Sequence, residues 1–417
     1  MLVSQVTKAG CILIAGLSLC GAFPLAGNAA EYVGTPETYL SAVSRLGPGD
    51  RLVLTAGAYR QGLQVSGLRG TGSQPIVIEG PGRGPPAVLV GRRGHNTVSL
   101  RHSSHVVIRN LVLDGADLEV DAVKAEHGGG LVHHITLEAL TIVRHGIDQG
   151  VIGISTKTPA AFWTIRNNII IGAGTGMYLG NSDGTAPFVA GVIEGNLIVN
   201  TVGYSLQIKH QRARPVLDGL PVSPQRTVIR GNFLSKAKNA STGELARPNL
   251  LLGHFPVEGP GSSDEYLVTE NVLFANPVES LMQAEGNVVI ARNVFINHLG
   301  DGIAVQPHND VPRQIEIREN FLVASGYGIR VQGAHPGYAQ VVKTNRDFSE
   351  GVIMADKDLE RAFREWLSTE FARRPNDRRA SRAIERALRM ACSGRDDADL
   401  AKRSGLIPRA HFVCQQL

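Results

Sequence analysis

The chain has 417 residues and a formal net charge of +5, which would favour an acidic partner if the charge were spread evenly. The chain has 42 basic and 37 acidic side chains. Residues 1–30 hold 1 basic and no acidic side chain, and residues 356–417 hold 14 basic and 10 acidic ones, which leaves 27 of each sign in residues 31–355. A nucleic-acid binder concentrates positive charge on its binding domain, so this balance argues against one. A hydrophobic content of 43% with 19% charged residues argues against wholesale disorder.

The N-terminal segment has the residue order of a secretory signal peptide. Lys8 precedes an apolar stretch from Ala9 to Leu25, and small residues follow up to Ala30. A membrane anchor is the weaker alternative, because Pro24 and several glycines shorten the apolar run. We predict that residues 1–30 are removed, and we expect a periplasmic or secreted protein with no membrane association.

The cysteines agree with export. Of the four, Cys11 and Cys20 lie in the predicted signal peptide, which leaves Cys392 and Cys414 as a pair in an oxidising compartment. We expect a disulfide that closes the tail of the chain rather than a thiol nucleophile.

The beginning of the mature chain predicts a short cap helix. Thr35 and Pro36 are typical of the first helical positions, and Leu40, Val43 and Leu46 follow at helical spacing. Such a helix would cover the open end of a coiled sheet. The next predicted strands are 52–54 and 75–79.

One short unit then recurs along the chain, with two apolar-x-apolar strands on either side of an Asn turn. It is clearest around Asn168, Asn196, Asn232, Asn271, Asn293 and Asn320, at intervals of 22 to 39 residues, with earlier copies at Asn110 and, in degenerate form, Ala139. Short strands separated by tight turns at such intervals predict an all-β, single-stranded right-handed parallel β-helix over residues 31–355. We expect the Asn side chains to form an internal ladder at one corner.

Residues 356–417 differ in kind, since 24 of these 62 residues are charged. Apolar residues recur there at helical spacing, which predicts a charged α-helical extension packed on the far end of the coil. A solvated extension without a packed face is the alternative.

A second alignment predicts the functional site. Four stretches begin with an apolar residue followed by Gln, which aligns the positions two residues after each Gln. They are Leu206–Lys209, Met282–Glu285, Val305–His308 and Val331–Ala334. Equivalent positions of a parallel coil stack about 4.8 Å apart, so these positions are expected to line one face. The candidate catalytic residues are Lys209, His254, Glu285, His308 and Asp310. The candidate substrate-binding residues are His210, Arg212, Arg214, Asn181, Asp183, Gln207 and Gln306.

An ammonium group, carboxylates and imidazoles on neighbouring turns are what general acid–base chemistry requires. The longest insertions, 211–225 and 236–264, fall in the same turns, and long loops on one face of a repeat typically build the binding cleft. Structural interpretations stay open: the glutamines as a second amide ladder, and Lys209 with Glu285 as a solvated ion pair.

Five other histidines are interpreted as structural: His102, His105, His133, His134 and His145. His133 and His134 would suggest a metal, but no third ligand stands at a convincing spacing, so the sequence predicts no metal site. Acidic residues are available for Ca²⁺, but no loop has a calcium signature, and no cofactor is predicted.

Three stretches, Gly203–Gln211, Arg247–Leu251 and Gln306–Asp310, resemble exported right-handed parallel β-helix proteins of the pectate-lyase-like superfamily, and within it a proteobacterial group. The resemblance spans residues 31 to about 345 and implies action on polysaccharides, often uronate-containing, by β-elimination, epimerisation or hydrolysis. Gln306–Asp310 also resembles the Asp-Pro-His-Asp motif of mannuronan C5-epimerases, with Gln306 in place of the first Asp and Asn309 inserted. His308 and Asp310 are the positions that match.

The first hypothesis is therefore an exported lyase or C5-epimerase on an acidic polysaccharide. In it Lys209 or Arg212 neutralises the sugar carboxylate, His308 or His254 is the general base, and Glu285 or Asp310 orients that base. One alternative is a glycoside hydrolase with Glu285 and Asp310 as its carboxylate pair. The other is a non-catalytic polysaccharide-binding or export protein. We expect a monomer whose partner is a polysaccharide, not a nucleic acid.

Overall fold

The structure is a computed structural model that describes residues 29–349 and Glu365. Almost all of the predicted signal peptide, the Cys392–Cys414 pair and the C-terminal extension lie outside the described residues. Among the described residues, no helix has the length and apolar character needed to span a bilayer.

The chain winds as a coil in which each full turn contributes one strand to each of three parallel sheets. Sheet A has 14 strands. They are Glu31–Gly34, Arg51–Leu54, Ile76–Glu79, Ser104–Arg109, Val132–Glu138, Ala160–Ala161, Thr164–Arg166, Phe188–Val189, Val192–Glu194, Arg226–Arg230, Glu265–Thr269, Gly286–Ala291, Arg313–Arg318 and Gln340–Lys343.

Sheet B follows sheet A in each turn and has 11 strands. They are Gly57–Tyr59, Ala87–Val90, Leu111–Asp114, Thr141–Val143, Ile169–Ile171, Leu197–Val199, Phe233–Ser235, Val272–Phe274, Val294–Asn297, Phe321–Ala324 and Arg346–Asp347. Sheet C completes the turn with 10 strands. They are Leu63–Ser66, Val98–Arg101, Val123–Ala125, Ile152–Thr156, Thr175–Leu179, Leu206–Ile208, Leu250–Leu252, Met282–Ala284, Ile303–Val305 and Ile329–Val331.

The core is built from rows of apolar side chains stacked in register along the coil. The central row of sheet A is fully buried in ten successive turns: Leu52, Ile78, Ile108, Leu137, Ile165, Ile193, Ile229, Val268, Ile290 and Ile317. Burial of each such side chain stabilises the fold by about 1.5–3 kcal/mol. The period-two pattern read from the sequence therefore supplies the core turn by turn.

The predicted Asn ladder is confirmed at the corner between sheets A and B. Each Asn Nδ2 donates to the Oδ1 of the next Asn at 2.9–3.0 Å, from Asn168 to Asn345. Leu111 and Leu140 hold the ladder position in the two preceding turns. Asn110 and Ala139, which the sequence pattern aligned with the ladder, lie one residue earlier, with left-handed φ values of 55° and 52°.

A helix covers the first turns, as predicted, but it is shorter and begins later. It spans Tyr39–Val43, with Thr38 rather than Thr35 at its N-cap. Tyr39 is buried and its hydroxyl donates to the carbonyl of Gly62, whereas Leu40, predicted to face the core, is exposed. Thr35 instead closes a local turn, in which its hydroxyl donates to Glu37. A short 3₁₀ turn lies at Gly243–Leu245.

Candidate functional site

The outer face of sheet C carries a row of side chains at the C-terminal ends of its strands. The last residues of the strands are in register, so the residues that follow them stack as well. We name this row the C-edge column. Its members, in turn order, are Glu126, Lys157, Gly180, Lys209, Gly253, Glu285, Gln306 and Gln332. Lys209 and Glu285 therefore share a column, as the sequence alignment predicted, with one turn between them.

The same register corrects two parts of that alignment. Gln207 is in register with Leu251 and, one turn on, with Gln283, but the next partner is Ala304 rather than Gln306. Gln306 belongs to the column of Lys209, and His308 lies two residues beyond it. The mismatch arises because an apolar-Gln pair occurs inside one strand at 206–207 but at the end of another at 305–306. A continuous glutamine column is therefore absent from this sheet.

Lys209 stands between two glycines of the C-edge column. Gly180 has a left-handed φ of 91°, and a Cβ atom placed on it would lie 3.3 Å from the Cβ of Lys209. A Cβ atom on Gly253 would collide with the backbone nitrogen of His210. The backbone is thus closely packed at both glycines, and no side chain stands directly beside Lys209 in the column.

The Lys209 ammonium group is half-buried, and this burial lowers its pKa, against the opposite effect of the Glu285 carboxylate. Its Nζ lies 5.8 Å from the centre of the Tyr178 ring. On the other side of that ring, the Nζ of Lys157 lies only 3.3 Å from the centre. Burial lowers the pKa of Lys157 to about 8. Two partly buried cations thus share one aromatic side chain, a cation–π arrangement.

Glu285 is only 1% exposed. Its two carboxylate oxygens accept hydrogen bonds from Asn309, one from the backbone N–H and one from the side-chain amide, both at 2.9 Å. Burial raises the pKa of Glu285, while these donors oppose the shift. Asn309, which interrupts the short motif at 306–310, is thus the residue that holds the buried carboxylate.

His254 and Asp310 form a second contact in the same region. The His254 Nε2 lies 3.3 Å from an Asp310 carboxylate oxygen. Burial and then Arg313 lower the pKa of His254 to about 4, so the ring is neutral at pH 7. At 6% exposure, His254 is less accessible than Asp310, whose side chain is 38% exposed.

Three more predicted residues join this cluster. His210 is partly buried, and its pKa is lowered by burial first and then by Lys209, Arg212 and His308. Arg212 and His308 are exposed. The structure thus gathers seven predicted residues at one edge of sheet C: Lys209, His210, Arg212, His254, Glu285, His308 and Asp310.

Other predicted residues hold the local backbone. The Arg214 side chain is completely buried, and its guanidinium pairs with Asp264 at 2.5 Å, so we assign it to loop packing instead of substrate binding. Asn181 accepts from the Ala186 N–H at 2.8 Å, and Asp183 accepts from the Thr185 N–H at 2.9 Å. Gln207 is 3% exposed. The burial of Arg214 and Gln207 keeps both side chains from a polymer, whereas Asn181 is partly exposed and Asp183 is exposed.

The long insertions flank sheet C, although the stretch 236–264 is not one loop. It contains the strand Leu250–Leu252, so residues 236–249 lie at the N-terminal edge of sheet C and residues 253–264 at its C-terminal edge. Residues 253–264 bind the 209–225 connection, where Gln211 N–H donates to the His254 carbonyl at 2.7 Å. Inserted segments therefore border sheet C at both ends of its strands.

Sequence reasoning missed Lys157, Tyr178 and Asn309. Lys157 directly follows the strand Ile152–Thr156, as Lys209 follows Leu206–Ile208, but its strand lacks the apolar-Gln pair that was used for alignment. Counting from the strand ends would have found it. Asn309 gave no such signal, because its role depends on a contact with Glu285 across one turn.

No known protein family profile matches the chain, and no curated protein does. Solved structures are similar to it. A lacto-N-biosidase from Eubacterium ramulus has a TM-score of 0.50 at 12% identity, covering 76% of this chain and 68% of that one. An alginate lyase from a Paenibacillus species has a TM-score of 0.49 at 18% identity, covering 77% and 99%. The A-module of a mannuronan C-5 epimerase from Azotobacter vinelandii has a TM-score of 0.46 at 14% identity, covering 76% and 93%.

At such low identity the likeness shows the fold alone. Together with the three parallel sheets, it confirms that the protein is a parallel β-helix, as its sequence predicts.

Proposed function

We propose that the protein is an exported enzyme that removes the C5 proton of a uronate residue in an acidic polysaccharide, as a lyase or a C5-epimerase. The observation that carries the proposal is the half-buried ammonium group of Lys209, flanked in its column by two glycines and close to the imidazoles of His210 and His308. The fold alone does not decide the reaction, because β-helices host several.

The first chemical step follows from charge. A proton next to a carboxylate is weakly acidic because its removal places further negative charge on the same group. An ammonium group in a partly water-excluded site neutralises that carboxylate and stabilises the anion that develops. Lys209 is placed for this role, with exposed Arg212 as a second cation.

A neutral imidazole then takes the proton. Burial lowers the pKa of His210, so its ring is largely in the base form near pH 7, and exposed His308 is the second candidate. His254 is buried beside Asp310, which favours a positioning role over direct contact with the sugar. Glu285, whose two carboxylate oxygens both accept hydrogen bonds from Asn309, orients the loop at 306–310.

The burial and hydrogen bonding of Glu285 argue against the glycoside hydrolase alternative. A glycosidase needs two carboxyl groups at the scissile bond. Glu285 is buried, and both of its oxygens already accept hydrogen bonds, so the pair that this alternative requires, Glu285 with Asp310, lacks an accessible member.

The test uses a panel of uronate polymers: mannuronan, guluronate-rich alginate, polygalacturonate and chondroitin sulfate. A lyase creates unsaturated chain ends that absorb in the ultraviolet, and an epimerase exchanges the C5 proton with D₂O, seen by NMR. We expect Lys209→Met to lower turnover by about 10²–10³-fold, the effect of losing one charge-stabilising group. Lys343→Met, which removes a cation on the outer face of sheet A, is the matched control and should retain activity.

Binding without turnover has a distinct signature. If neither assay responds to any polymer while binding survives both Lys209→Met and His308→Ala, the protein is not this enzyme. A polysaccharide-binding role would then take its place.

A further inference from the structure

Three histidines meet at the beginning of neighbouring strands of sheet A, away from the C-edge column. His105 lies in Ser104–Arg109, and His133 and His134 lie in Val132–Glu138. The register pairs His133 with Ser104 and Ile135 with Val106, which places His134 over His105. One ligand nitrogen of each ring lies within 4.8 Å of those of the other two. The coil therefore supplies the third ligand that sequence spacing did not reveal.

A local backbone feature brings two adjacent residues to the same face. His134 has a left-handed φ of 52°, which interrupts the strand alternation between buried Val132 and buried Ile135. His105 has a φ of 53° at the same step one turn earlier. Because both turns carry this bulge, His133 and His134 point outward together, next to His105.

Ring stacking accounts for part of this arrangement. His105 and His134 stack with centres 4.3 Å apart, and His134 and Phe162 stack at 4.7 Å. His133 is different, because it lies edge-on to both other imidazoles. Its Nδ1 is 2.7 Å from the Nδ1 of His134. Stacking requires only aromatic faces, whereas converging ring nitrogens are what a metal ion requires.

We propose that His105, His133 and His134 bind one divalent transition-metal ion of the zinc class. Imidazole nitrogen suits Zn²⁺, Cu²⁺ and Ni²⁺, whereas Ca²⁺ requires oxygen ligands. Zn–N bonds of about 2.0–2.1 Å place tetrahedral ligands roughly 3.4 Å apart. The ligand nitrogens, which lie within 4.8 Å of one another, would have to move closer together to reach that spacing.

The 211–225 connection offers a fourth ligand. Gly219, which follows Asp218, passes close to the cluster, since a Cβ atom placed on it would lie 3.7 Å from the Nε2 of His133. Leu220 packs against buried Ala161 and Val189, which holds this stretch on sheet A. A metal ion that also bound Asp218 would tie the connection to the sheet. The same connection begins at the candidate active site, beside Arg212.

The experiment uses the full chain without a polyhistidine tag, after treatment with a chelator. Isothermal titration with Zn²⁺ is expected to show about one ion per chain, and Co²⁺ is expected to give the visible absorption of a nitrogen-rich tetrahedral site. His105→Ala and His133→Ala should each weaken Zn²⁺ binding by about 100-fold or more. His127→Ala removes an exposed histidine elsewhere and should leave binding unchanged. Ca²⁺ should not compete.

The His134→Phe variant distinguishes metal binding from aromatic stacking as the role of this cluster. It continues the aromatic row between His105 and Phe162 but removes the nitrogen, so the fold should persist while Zn²⁺ binding is lost. Asp218→Asn should have a smaller effect. Equal Zn²⁺ uptake by the wild type and the His105/His133/His134 triple alanine variant would overturn the proposal, and the cluster would then be an aromatic stack only.

Discussion

Burial brings the pKa of the Lys157 side chain closer to neutral pH. Its ammonium group sits over the Tyr178 ring, and burial lowers its pKa to about 8, with Asp121 opposing the shift. Lys157 and Lys209 belong to one column, with Gly180 between them, which separates them by roughly 10 Å, twice the strand spacing. A polymer that ran along the coil axis would meet two separate cations.

We expect affinity for an acidic polysaccharide to fall as the pH rises through 8, because Lys157 then loses its proton and its charge. The loss should reach about tenfold per pH unit above 8, up to the full contribution of the group. Lys157→Arg should move this fall to higher pH, because a guanidinium group stays protonated. The dissociation constant or KM measured between pH 6.5 and 9.5 tests this.

The control for this titration is Lys343→Arg, on sheet A, which should leave the pH profile unchanged. An identical profile for the wild type and Lys157→Arg would show that Lys157 does not contact the polymer.

Among the elements, the Asn ladder has the most demanding hydrogen-bond requirements. The side chain of Asn271 accepts from the N–H and the Nδ2 of Asn232, and its own Nδ2 donates to the Ile229 carbonyl and to Asn293. The site is buried, so every one of these groups depends on the others for a partner.

Asn271→Ala should lower the free energy of unfolding by about 3–5 kcal/mol, since it leaves several buried polar groups without partners at about 1–3 kcal/mol each. Asn110→Gly is the matched control. Asn110 belongs to the same sequence repeat but lies outside the ladder, and glycine tolerates its positive φ, so the change should stay within about 0.5 kcal/mol. Urea unfolding measures both variants, and a cost for Asn271→Ala as small as that of the control would contradict this role.

Sequence patterns predict the features of this fold that recur from turn to turn, but not the features that depend on a single contact. The ladder from Asn168 onward and the inward rows recur in every turn, so pattern alone finds them. The position of Lys209 and Glu285 in one column follows from the same periodicity. By contrast, the bond between Glu285 and Asn309 joins two loops, and the burial of Arg214 depends on Asp264 in another insertion. Neither contact leaves a trace in periodicity or composition.

At the scale of the whole molecule, buried neutral histidines make the free energy of unfolding depend on pH. Burial lowers the pKa of His254 to about 4 and also lowers the pKa of His145, which is fully buried. In the unfolded chain such groups take up protons near pH 6.5. Between these values the unfolded state binds more protons, so their contribution to stability is present above pH 6.5 and is lost as the pH falls toward 4.

We therefore expect the melting temperature to decline as the pH is lowered from 7 to 4.5. His254→Gln, which cannot take up a proton, should flatten this decline by an amount on the order of 1–3 kcal/mol in the free energy of unfolding. His127→Ala, at an exposed position, should not alter the slope. A decline that is the same in His254→Gln and wild type would assign the acid sensitivity to other groups.

The parallel arrangement of the strands has one more consequence. Along the coil axis, the C-edge column places Lys157 and Lys209 in earlier turns and Glu285 in a later one, with Asp310 close by. From Lys157 to Glu285 the charge along the column thus changes from positive to negative. A polysaccharide also has two unlike ends, one reducing and one non-reducing, so the two directions in which it can lie along this part of the column differ in energy.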